Sequence, residues 1–462
     1  MTNWQPDLEG HSGPRYAAIA DALAADLANG RFEPGDRLPT HRDLAWRLGV
    51  TVGTVSRAYA EAERRGLVSG EVGRGTFVRG SQAPESYFVH DERDPAMIDL
   101  GLALPPPGSC DRYLGPALKA LAEDPRVAAL LTYQPGAGRT EHRAAGAAWL
   151  ARRGLQVPPE RVIVTNGGNH GIAVALAATT RPGDRLLIER LSYVLIQPIA
   201  RMLGLRLEGL AADENGILPE AVAAACRAGD ARALYCIPTL QNPTTSIMPE
   251  ERRHAIAEAA DRHDLAVLED DTFAHLVDQA PPALTSLLPE RGYYITSLSK
   301  TLAPGLRVGY VAGPARAIEN LTGAVRATCM MASPIPAEIA SRWIRDGTAV
   351  DILESNRREL SARREHALEI LGAWDMDCPP GSQYAWLRLP EPWRAADFAA
   401  AAERANVLVV PAGHFAVGRQ EVEHGVRIGL GPPRTRADLK TGLIRLAELL
   451  RDGPGQSFST IV

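Results

Sequence analysis

The stretch Ser297–Tyr310 reads SLSKTLAPGLRVGY and places a lysine, two hydroxyl side chains and an arginine directly after an apolar run. Lysine can form an imine with an aldehyde, because its neutral amine is a nucleophile. Ser297, Ser299 and Arg307 carry donors that suit a phosphate group beside Lys300. The pattern indicates a site for a phosphorylated aldehyde, although a Ser-x-Ser-Lys sequence alone is common and a lone lysine is typically a surface residue.

Three further motifs lie upstream, each after a predicted strand. Glu269–Asp271 follows Ala266–Leu268 and supplies a carboxylate that can pair with a protonated ring nitrogen, although these aspartates could also cap the next helix. Thr165–Asn169 lies at a strand-to-helix turn, where backbone N–H groups form a cup for phosphate. Gln241–Thr245 follows another strand.

Around these motifs, short apolar strands alternate with helical stretches. The predicted strands are Arg161–Thr165, Arg185–Glu189, Ala233–Ile237, Ala266–Glu269, Tyr293–Thr296 and Val308–Ala312. Such alternation favours a mainly parallel sheet that is covered by helices and carries its sites at the strand ends. Beyond Pro334, a smaller α+β domain is predicted from helices at Asp351–Leu371 and Ala396–Ala405 and strands at Tyr384–Arg388, Val407–Val410 and Val426–Gly429.

The first eighty residues have a different pattern. A helix is predicted over Tyr16–Asn29, where an apolar residue recurs every four positions. Two short helices follow, joined by a glycine-containing turn, and Thr40 and Thr51 stand where N-caps are expected. Two strand-like runs then flank Gly73–Gly75, which predicts a hairpin with Arg74 at its tip.

The composition predicts a soluble protein of several domains. The chain has 462 residues, of which 45% are hydrophobic and 23% are charged. We expect no membrane partner and a cytoplasmic location, because no apolar run is long enough to span a membrane and Met1–Gly10 does not read as a secretory leader. The five cysteines are scattered, which argues against disulfides and against a metal site.

The charge distribution alone decides little about nucleic-acid binding. The whole chain has a formal net charge of −5, and residues 1–80 hold ten arginines and ten acidic residues. Residues 40–80 hold seven arginines and four acidic residues, an excess of +3. A solvated helix face explains so small an excess equally well.

The order of helix, helix-turn-helix and hairpin resembles the winged helix of the GntR regulator family. Gly35–Arg42, Thr51–Tyr59 and Gly73–Val78 carry the resemblance. It implies a double-stranded DNA operator as partner. It assigns the major groove or its phosphates to Thr51, Gly53, Thr54 and Arg57, and the backbone or minor groove to Arg42 and Arg74. Taken singly, each of these arginines is more often a solvated surface charge.

From the lysine motif outward, the larger part of the chain resembles the fold-type-I aminotransferases. A winged helix followed by such a domain resembles the domain order of the MocR subgroup of GntR regulators. The resemblance implies a pyridoxal 5′-phosphate cofactor, with Lys300 in the internal aldimine and as the catalytic residue. It implies that Asp270 pairs with the pyridine nitrogen, Asn242 bonds to the phenolic oxygen and Tyr193 stacks on the ring. The phosphate ligands would be Gly168, Asn169, Ser297, Ser299 and Arg307.

The same resemblance implies partners beyond the cofactor. Tyr133 would reach the phosphate of a neighbouring subunit, so a homodimer is expected. Arg427 would bind the α-carboxylate of an amino-acid effector, a bidentate task that suits guanidinium. By themselves, Tyr193 could be a core residue and Arg427 a structural ion-pair partner. His170 and His275 lie near the site in sequence, but structural histidines are the favoured interpretation.

Two positions depart from the family pattern. Phe273 stands where related sequences usually carry a tyrosine, so a hydroxyl donor to the phenolic oxygen is missing, and Thr272 or Asn242 are the candidates to replace it. Gly168 stands where a hydroxyl residue or alanine is often found, which leaves backbone donors alone at that point of the phosphate cup.

The expected organisation has three parts. Residues 1–80 form the DNA-binding domain, which is mainly α, 81–96 a linker, and 97–462 an α/β domain of fold type I. The latter divides into a large doubly wound part, about 130–325, and a small α+β part, about 330–452. We expect a transcription regulator that senses an amino acid or amine through external aldimine formation. The alternatives are an active aminotransferase with an appended DNA-binding domain and a sensor of the cofactor itself.

Overall fold

The computed structural model describes residues 4–6, 8, 14–29, 31–32, 36–64, 67–71, 75–78, 96–418 and 423–454. These residues fall into two compact units. The described residues up to 78 belong to the first unit, and those from 96 onward belong to the second.

The first unit consists of three helices and a hairpin. They are α1 (Arg15–Ala28), α2 (His41–Leu48), α3 (Val52–Arg64), β1 (Val68–Glu71) and β2 (Gly75–Val78). The Thr40 hydroxyl accepts a hydrogen bond from the backbone N–H of Asp43 and so caps α2, and Thr51 does the same for α3 through Thr54. Apolar residues of all three helices and both strands share one buried core. A winged helix-turn-helix is therefore formed as predicted.

The second unit contains fifteen strands and eleven helices among its described residues. The strands are β3 (Ile98–Asp99), β4 (Val162–Thr165), β5 (Arg185–Glu189), β6 (Arg206–Leu210), β7 (Ala212–Asp213), β8 (Gly216–Ile217), β9 (Ala231–Cys236), β10 (Ala266–Asp270), β11 (Gly292–Ser297), β12 (Gly309–Ala312), β13 (Met376–Asp377), β14 (Tyr384–Arg388), β15 (Val407–Leu408), β16 (Val410–Pro411) and β17 (Gly425–Gly429). The helices are α4 (Asp111–Ala122), α5 (Thr140–Ala151), α6 (Gly168–Thr179), α7 (Ile196–Met202), α8 (Pro219–Arg227), α9 (Glu250–Arg262), α10 (Ile318–Cys329), α11 (Pro334–Asp346), α12 (Thr348–Leu371), α13 (Ala395–Arg404) and α14 (Arg436–Asp452).

A seven-stranded sheet forms the centre of this unit, in the order β4-β12-β11-β10-β9-β5-β6. All neighbours run parallel except β12, which is antiparallel to both β4 and β11. Both faces are covered: Val162 and Val164 of β4 pack into one apolar cluster with Trp149 of α5, whereas Ile163 packs into another with Ile172 of α6. Successive side chains of a strand point to opposite faces, so the sheet is doubly wound as predicted.

The carboxyl ends of six strands lie at one edge of this sheet. Strands β4, β5, β6, β9, β10 and β11 all point the same way, and only β12, between β4 and β11, runs in the opposite direction. The motifs predicted to carry the site follow β4, β9, β10 and β11 in the chain. The topology therefore brings segments that are far apart in sequence to one place.

A smaller antiparallel sheet follows, in the order β13-β14-β17-β16. Helices α12, α13 and α14 contribute to its apolar core, which also contains Leu100. Strand β3 pairs in parallel with β15, so residues 98–100 pack with the C-terminal part of the chain. The predicted small part, about 330–452, did not include them.

No helix in the described part of the chain combines the length and apolarity that a membrane span requires.

Candidate functional site

Lys300 lies just beyond the carboxyl end of β11 and is partly buried. Its Nζ atom donates a hydrogen bond to the carbonyl oxygen of Ala103 at 2.5 Å. Burial, followed by the charge of Arg427, lowers the pKa of the Lys300 amine to about 8. The charge of Asp270 acts in the opposite direction and raises this pKa. A larger share of the amine is therefore neutral and nucleophilic near pH 7 than in an ordinary lysine.

Hydroxyl and guanidinium donors cluster beside this lysine. The Ser297 hydroxyl donates to Ser299 Oγ at 3.0 Å, and Arg307 Nη1 donates to Ser299 Oγ at 3.4 Å. Arg307 Nη2 also donates to the carbonyl oxygen of Asn166 at 3.3 Å, at the turn that leads into α6. Helix α6 begins at Gly168, close to Ser297, and the first N–H groups of a helix have no partner within the helix, so this cluster can hold a phosphate group.

Gly168 lies close to Ser297. A Cβ atom at Gly168 would lie 3.3 Å from Ser297 Cβ, which is tighter than ordinary van der Waals contact. A larger residue at this position would therefore require a shift of a few tenths of an ångström between the two backbones.

Tyr193 is tied to the same helix terminus. Its hydroxyl donates to Asn169 Oδ1 at 2.8 Å, and burial raises the pKa of Tyr193 to about 12, so the phenol stays protonated. The preceding Ser192 donates to Glu189 Oε2 at 3.2 Å, and Glu189 Oε1 accepts from the backbone N–H of Ile237 at 2.9 Å. These bonds fix the Tyr193 loop to the ends of β5 and β9.

Asp270 ends β10 as a buried carboxylate with two close hydroxyl partners. Tyr235 donates to Oδ2 at 2.7 Å, and Thr272 donates to Oδ1 at 2.6 Å. Burial raises the pKa of Asp270, and the described residues place no lysine or arginine in an ion pair with it. A cationic group bound beside Asp270 would favour its charged form.

Arg427 of β17 is 7% exposed, yet it pairs with no carboxylate among the described residues. Its Nη1 donates to Asn242 Oδ1 at 2.8 Å and its Nη2 to the carbonyl oxygen of Gly101 at 2.5 Å. Nε is buried and has no hydrogen-bond partner. Burial lowers the pKa of Arg427 to about 10. A buried guanidinium with an unused N–H is a site for an anionic ligand.

Phe273 lies beside Lys300 and Tyr384. Its ring centroid lies 5.9 Å from Lys300 Nζ, and its edge meets Tyr384 at a centroid distance of 5.4 Å. The Thr272 hydroxyl donates its hydrogen to Asp270 Oδ1 at 2.6 Å in this structure. Asn242 accepts from Arg427 through its Oδ1, so its Nδ2 hydrogens point away from Arg427. Asn242 therefore remains a candidate donor to the phenolic oxygen.

Tyr133 does not join this set within one subunit. Its side chain is 84% exposed, and no hydrogen bond links it to the other site residues in the described structure. Leu131, two residues earlier, is 75% exposed. Both side chains lie on a surface that a second subunit could cover.

The structure gives the two nearby histidines structural partners. Nε2 of His275 lies 3.1 Å from the carbonyl oxygen of Trp149, its ring stacks on Trp149, and burial lowers its pKa to about 4. His170 Nδ1 accepts from the backbone N–H of Asn166 at 3.1 Å. Among the residues that the structure describes, no three His, Cys, Asp or Glu side chains are arranged to bind a metal.

The first unit presents the predicted DNA-binding residues at its surface. Thr51, Gly53 and Arg57 are exposed at the start of α3 and one turn into it, and Thr54 is partly exposed. The hydroxyls of Thr51 and Thr54 lie 2.9 Å apart. Arg57 has no hydrogen bond or ion pair to another described residue, so its guanidinium is available to a partner.

Helix α2 presents a second exposed arginine. Arg42 also has no hydrogen bond or ion pair to another described residue, whereas Arg47 is bonded to Asp43 at 2.8 Å. Trp46, one turn after Arg42 on the same exposed face, is 83% exposed. Arg74, at the predicted tip of the hairpin, lies outside the described residues.

Sequence reasoning missed Tyr235 and the carbonyls of Gly101 and Ala103. Tyr235 is a fully buried residue of β9 beside β10, so a hydroxyl in a predicted buried strand was an available signal. The two carbonyls carry no side-chain signal, because any residue supplies one.

Comparison with known proteins agrees with this geometry. Residues 115–446 match the model of "Aminotransferase class I and II", and residues 15–78 match that of "Bacterial regulatory proteins, gntR family". The chain is 32% identical over 451 residues to the uncharacterized HTH-type transcriptional regulator YdeF of Bacillus subtilis, covering 97% of each chain. It is 27% identical to the HTH-type transcriptional regulator TauR of Rhodobacter capsulatus, over 96% of this chain and 98% of that one.

A solved structure shares the fold of the second unit. It is LysN, the alpha-aminoadipate aminotransferase of Thermus thermophilus, complexed with N-(5′-phosphopyridoxyl)-L-leucine. The TM-score is 0.69 at 24% identity, over 78% of this chain and 93% of LysN. The aminotransferase class I and II family implies a pyridoxal phosphate cofactor, and a GntR domain implies DNA binding. The chain therefore belongs to the MocR-type GntR regulators, in which a winged helix-turn-helix is joined to a domain of the aminotransferase class I and II family.

Proposed function

We propose that this transcription regulator binds pyridoxal 5′-phosphate at Lys300 and senses an amino acid or amine there. The observation that carries the proposal is Arg427, a buried guanidinium that has no carboxylate partner in the described residues and an unused Nε donor. Its charge acts on the amine of Lys300, and the two side chains bond to the carbonyls of Gly101 and Ala103, two residues apart, which supports placing the carboxylate-binding group and the nucleophile in one site.

The residues present fit pyridoxal phosphate. Its aldehyde, when bound, supplies a carbon that forms an imine with the amine of Lys300 or of a ligand. The buried Asp270 has no cationic partner among the described residues, and a protonated ring nitrogen would supply one. Lys300 has a lowered pKa, as attack on an aldehyde requires.

We assign the remaining cofactor contacts from these positions. Asn242 would donate its Nδ2 hydrogen to the phenolic oxygen, and Tyr193 would stack on the ring. The phosphate would be bound by Gly168, Asn169, Ser297, Ser299 and Arg307. The bonds among Ser297, Ser299 and Arg307 support this assignment, because they show that the three side chains already converge.

We propose that the protein acts as a homodimer. Tyr133 would reach the phosphate of the second subunit, which is supported by its 84% exposure and by the exposed Leu131 beside it. A dimer carries two winged helices, so its operator would contain two half-sites.

In each winged helix, Thr51, Gly53, Thr54 and Arg57 would contact the major groove or its phosphates. Arg42 and Arg74 would contact the backbone or the minor groove. The exposure and free guanidinium groups of Arg42 and Arg57 support these roles. Binding to chromosomal DNA would place the protein in the cytoplasm. We propose that the DNA-binding domain spans 1–80, the linker 81–96 and the cofactor domain 97–462.

A working aminotransferase is the second candidate function. It is favoured by the match of 115–446 to the aminotransferase family and by the lowered pKa of Lys300. The two functions share one site, so site geometry does not separate them.

An absorption titration tests the proposal. The cofactor-loaded protein is mixed with each of the twenty proteinogenic amino acids, with 4-aminobutyrate and with taurine, and its visible spectrum is recorded. We expect a spectral change with at least one of them. A subsequent loss of the imine band, with release of a 2-oxo acid from an α-amino acid or of an aldehyde from 4-aminobutyrate or taurine, would indicate transamination. An unchanged spectrum with every compound would contradict amine sensing.

A further inference from the structure

Two backbone carbonyls of the segment Leu100–Ala103 accept hydrogen bonds from the two cationic side chains of the site. The carbonyl of Ala103 accepts from Lys300 Nζ, and that of Gly101 accepts from Arg427 Nη2, both at 2.5 Å. Hydrogen bonds from charged donors are shorter and stronger than neutral ones. The segment therefore contacts both the nucleophile and the proposed ligand-carboxylate group.

The segment is bonded to β15 and to β17 of the small sheet. The backbone N–H of Leu100 donates to Leu408 at 2.9 Å, and the Leu100 carbonyl accepts from the N–H of Gly429 at 2.6 Å. A Cβ atom at Gly429 would lie 2.1 Å from the carbonyl oxygen of Leu102, so the two backbones approach closely because this residue is glycine. The carbonyls near Lys300 are therefore held in place by the fold.

Gly431 continues this close approach. A Cβ atom there would lie 1.7 Å from the carbonyl oxygen of Leu104. The backbone on either side of Ala103 is thus packed against glycines, which restricts where the Ala103 carbonyl can move.

The bond between Lys300 and Ala103 depends on the chemical state of the lysine. A free amine or ammonium group has two or three hydrogens to donate, whereas a nitrogen bonded to the cofactor carbon keeps one at most. When a ligand amine replaces Lys300, the ligand nitrogen forms the bond to the aldehyde carbon and the Lys300 nitrogen leaves. The two hydrogens lost by the ligand nitrogen end on Lys300, so its amine can donate again.

We propose that the hydrogen bond from Lys300 to the Ala103 carbonyl depends on whether the lysine nitrogen is bonded to the cofactor. Leu100–Ala103 is held more tightly when a ligand has freed the lysine amine. This inference rests on the proposed function and names the regulation of the same site. The chain N-terminal to this segment leads to the DNA-binding unit, so the change begins at the part of the cofactor domain nearest in sequence to that unit.

The contact of Gly101 with Arg427 keeps the segment in place in both states. A guanidinium group has five N–H hydrogens, and Arg427 uses only its two Nη atoms here, for Asn242 and Gly101. The Nε hydrogen and the second Nη hydrogens remain for a ligand carboxylate. Ligand binding can therefore change the Ala103 contact without releasing Gly101.

Hydrogen–deuterium exchange tests the inference without knowledge of the natural effector. The full chain is loaded with pyridoxal 5′-phosphate, which uses the Lys300 amine, or with pyridoxamine 5′-phosphate, which leaves it free. We expect the amides of residues 98–104 to exchange about fivefold more slowly with pyridoxamine phosphate, the effect of one additional hydrogen bond. N-(5′-phosphopyridoxyl)-L-leucine should protect the segment similarly. Equal exchange with all three compounds would overturn the inference.

The Lys300→Ala variant is the control, because it removes the donor. In this variant the exchange of residues 98–104 should be equal with the two cofactor forms, and Lys300→Met repeats the control with more of the side-chain volume retained. A difference that persists in both variants would also overturn the inference. Failure of the proposed function would be seen separately, as an absence of imine absorption in the wild-type protein loaded with pyridoxal phosphate.

Discussion

At the scale of single residues, the pKa of Lys300 gives a pH dependence that can be measured. Only the neutral amine attacks an aldehyde, so the rate of pyridoxal phosphate capture by the apo protein should rise with pH, with a midpoint near 8. At pH 7 about a tenth of such amines are neutral, against about one in 3000 for an ordinary lysine. Stopped-flow absorbance from pH 6 to 10 measures the profile.

Arg427→Ala provides an internal control for this profile. Arg427 lowers the pKa of Lys300 by charge repulsion, so its removal should move the midpoint upward. A wild-type midpoint near the ordinary lysine value of 10.5 would contradict the assignment of Lys300 to a desolvated site.

Phe273 allows a second prediction about the cofactor. A phenol at this position would donate to the phenolic oxygen and favour the deprotonated state of the cofactor-loaded protein. Phe273→Tyr should therefore lower the pKa of its absorption transition by about 1–2 units, the effect of a hydrogen bond to a charged group. Spectrophotometric pH titration of both proteins measures the shift. Equal midpoints would mean that Asn242 already supplies all the stabilisation that a donor can give.

Arg427 should determine the affinity for ligands that carry a carboxylate. Arg427→Ala should weaken amino-acid binding about 10–100-fold, because a charge-assisted hydrogen bond contributes about 1.5–3 kcal/mol. Arg427→Lys should recover the ligand only in part, because its ammonium group cannot bind in bidentate fashion. Titration with amino acids and with the corresponding amines measures both effects. An equal loss for amines that lack the carboxylate would exclude this role.

At the scale of elements, helix α3 is expected to read the operator. Arg57 is exposed and unpaired among the described residues, so Arg57→Ala should cost about 1–3 kcal/mol of binding free energy if it contacts a base edge. Arg31→Ala is the matched control, because Arg31 is an exposed arginine of the same unit that already bonds to Asp26. Fluorescence anisotropy with DNA from upstream of the protein's own gene measures both. Equal affinities for the two variants would remove Arg57 from the DNA contacts.

Local sequence predicted those elements whose pattern is complete within one segment. The caps at Thr40 and Thr51 and six strands of the central sheet follow from local hydrogen bonding and apolar runs. Strand β6 was missed because Arg206–Leu210 mixes charged and apolar residues at the sheet edge. The pairing of β3 with β15 was missed because two-residue strands carry no periodic signal.

In the candidate site, the contributions of side chains could be predicted from the sequence, and those of the backbone could not. Lys300 and Asp270 could be named from sequence because their side chains suggest the chemistry, and Arg427 could be named from the family resemblance. The electrostatic coupling of Lys300 to the other two agrees with one site. The contacts of Gly101 and Ala103 could not be named, because they arise from tertiary packing of a backbone segment. The hydroxyl of Thr272 was a possible donor to the cofactor by sequence, but the structure directs it to Asp270.

At the scale of the whole molecule, one chain joins two functions. The winged helix binds DNA, and the aminotransferase-type domain is proposed to respond to an amine at Lys300. A ligand changes DNA binding only if it interacts differently with two states of the protein. The chemical state of Lys300 supplies such a difference, because it changes the donor available to Ala103.

The most direct test compares the DNA affinity of the wild-type and Lys300→Ala proteins, each loaded with pyridoxal phosphate. The affinity is measured with and without the amino compound that changes the wild-type spectrum. The two proteins should bind the same DNA with similar affinity in the absence of the compound, because Lys300 belongs to the second unit. The compound should change the wild-type affinity about fivefold or more, as allosteric coupling typically does, and should leave that of Lys300→Ala unchanged. A Lys300→Ala protein that responds as the wild type does would contradict the account.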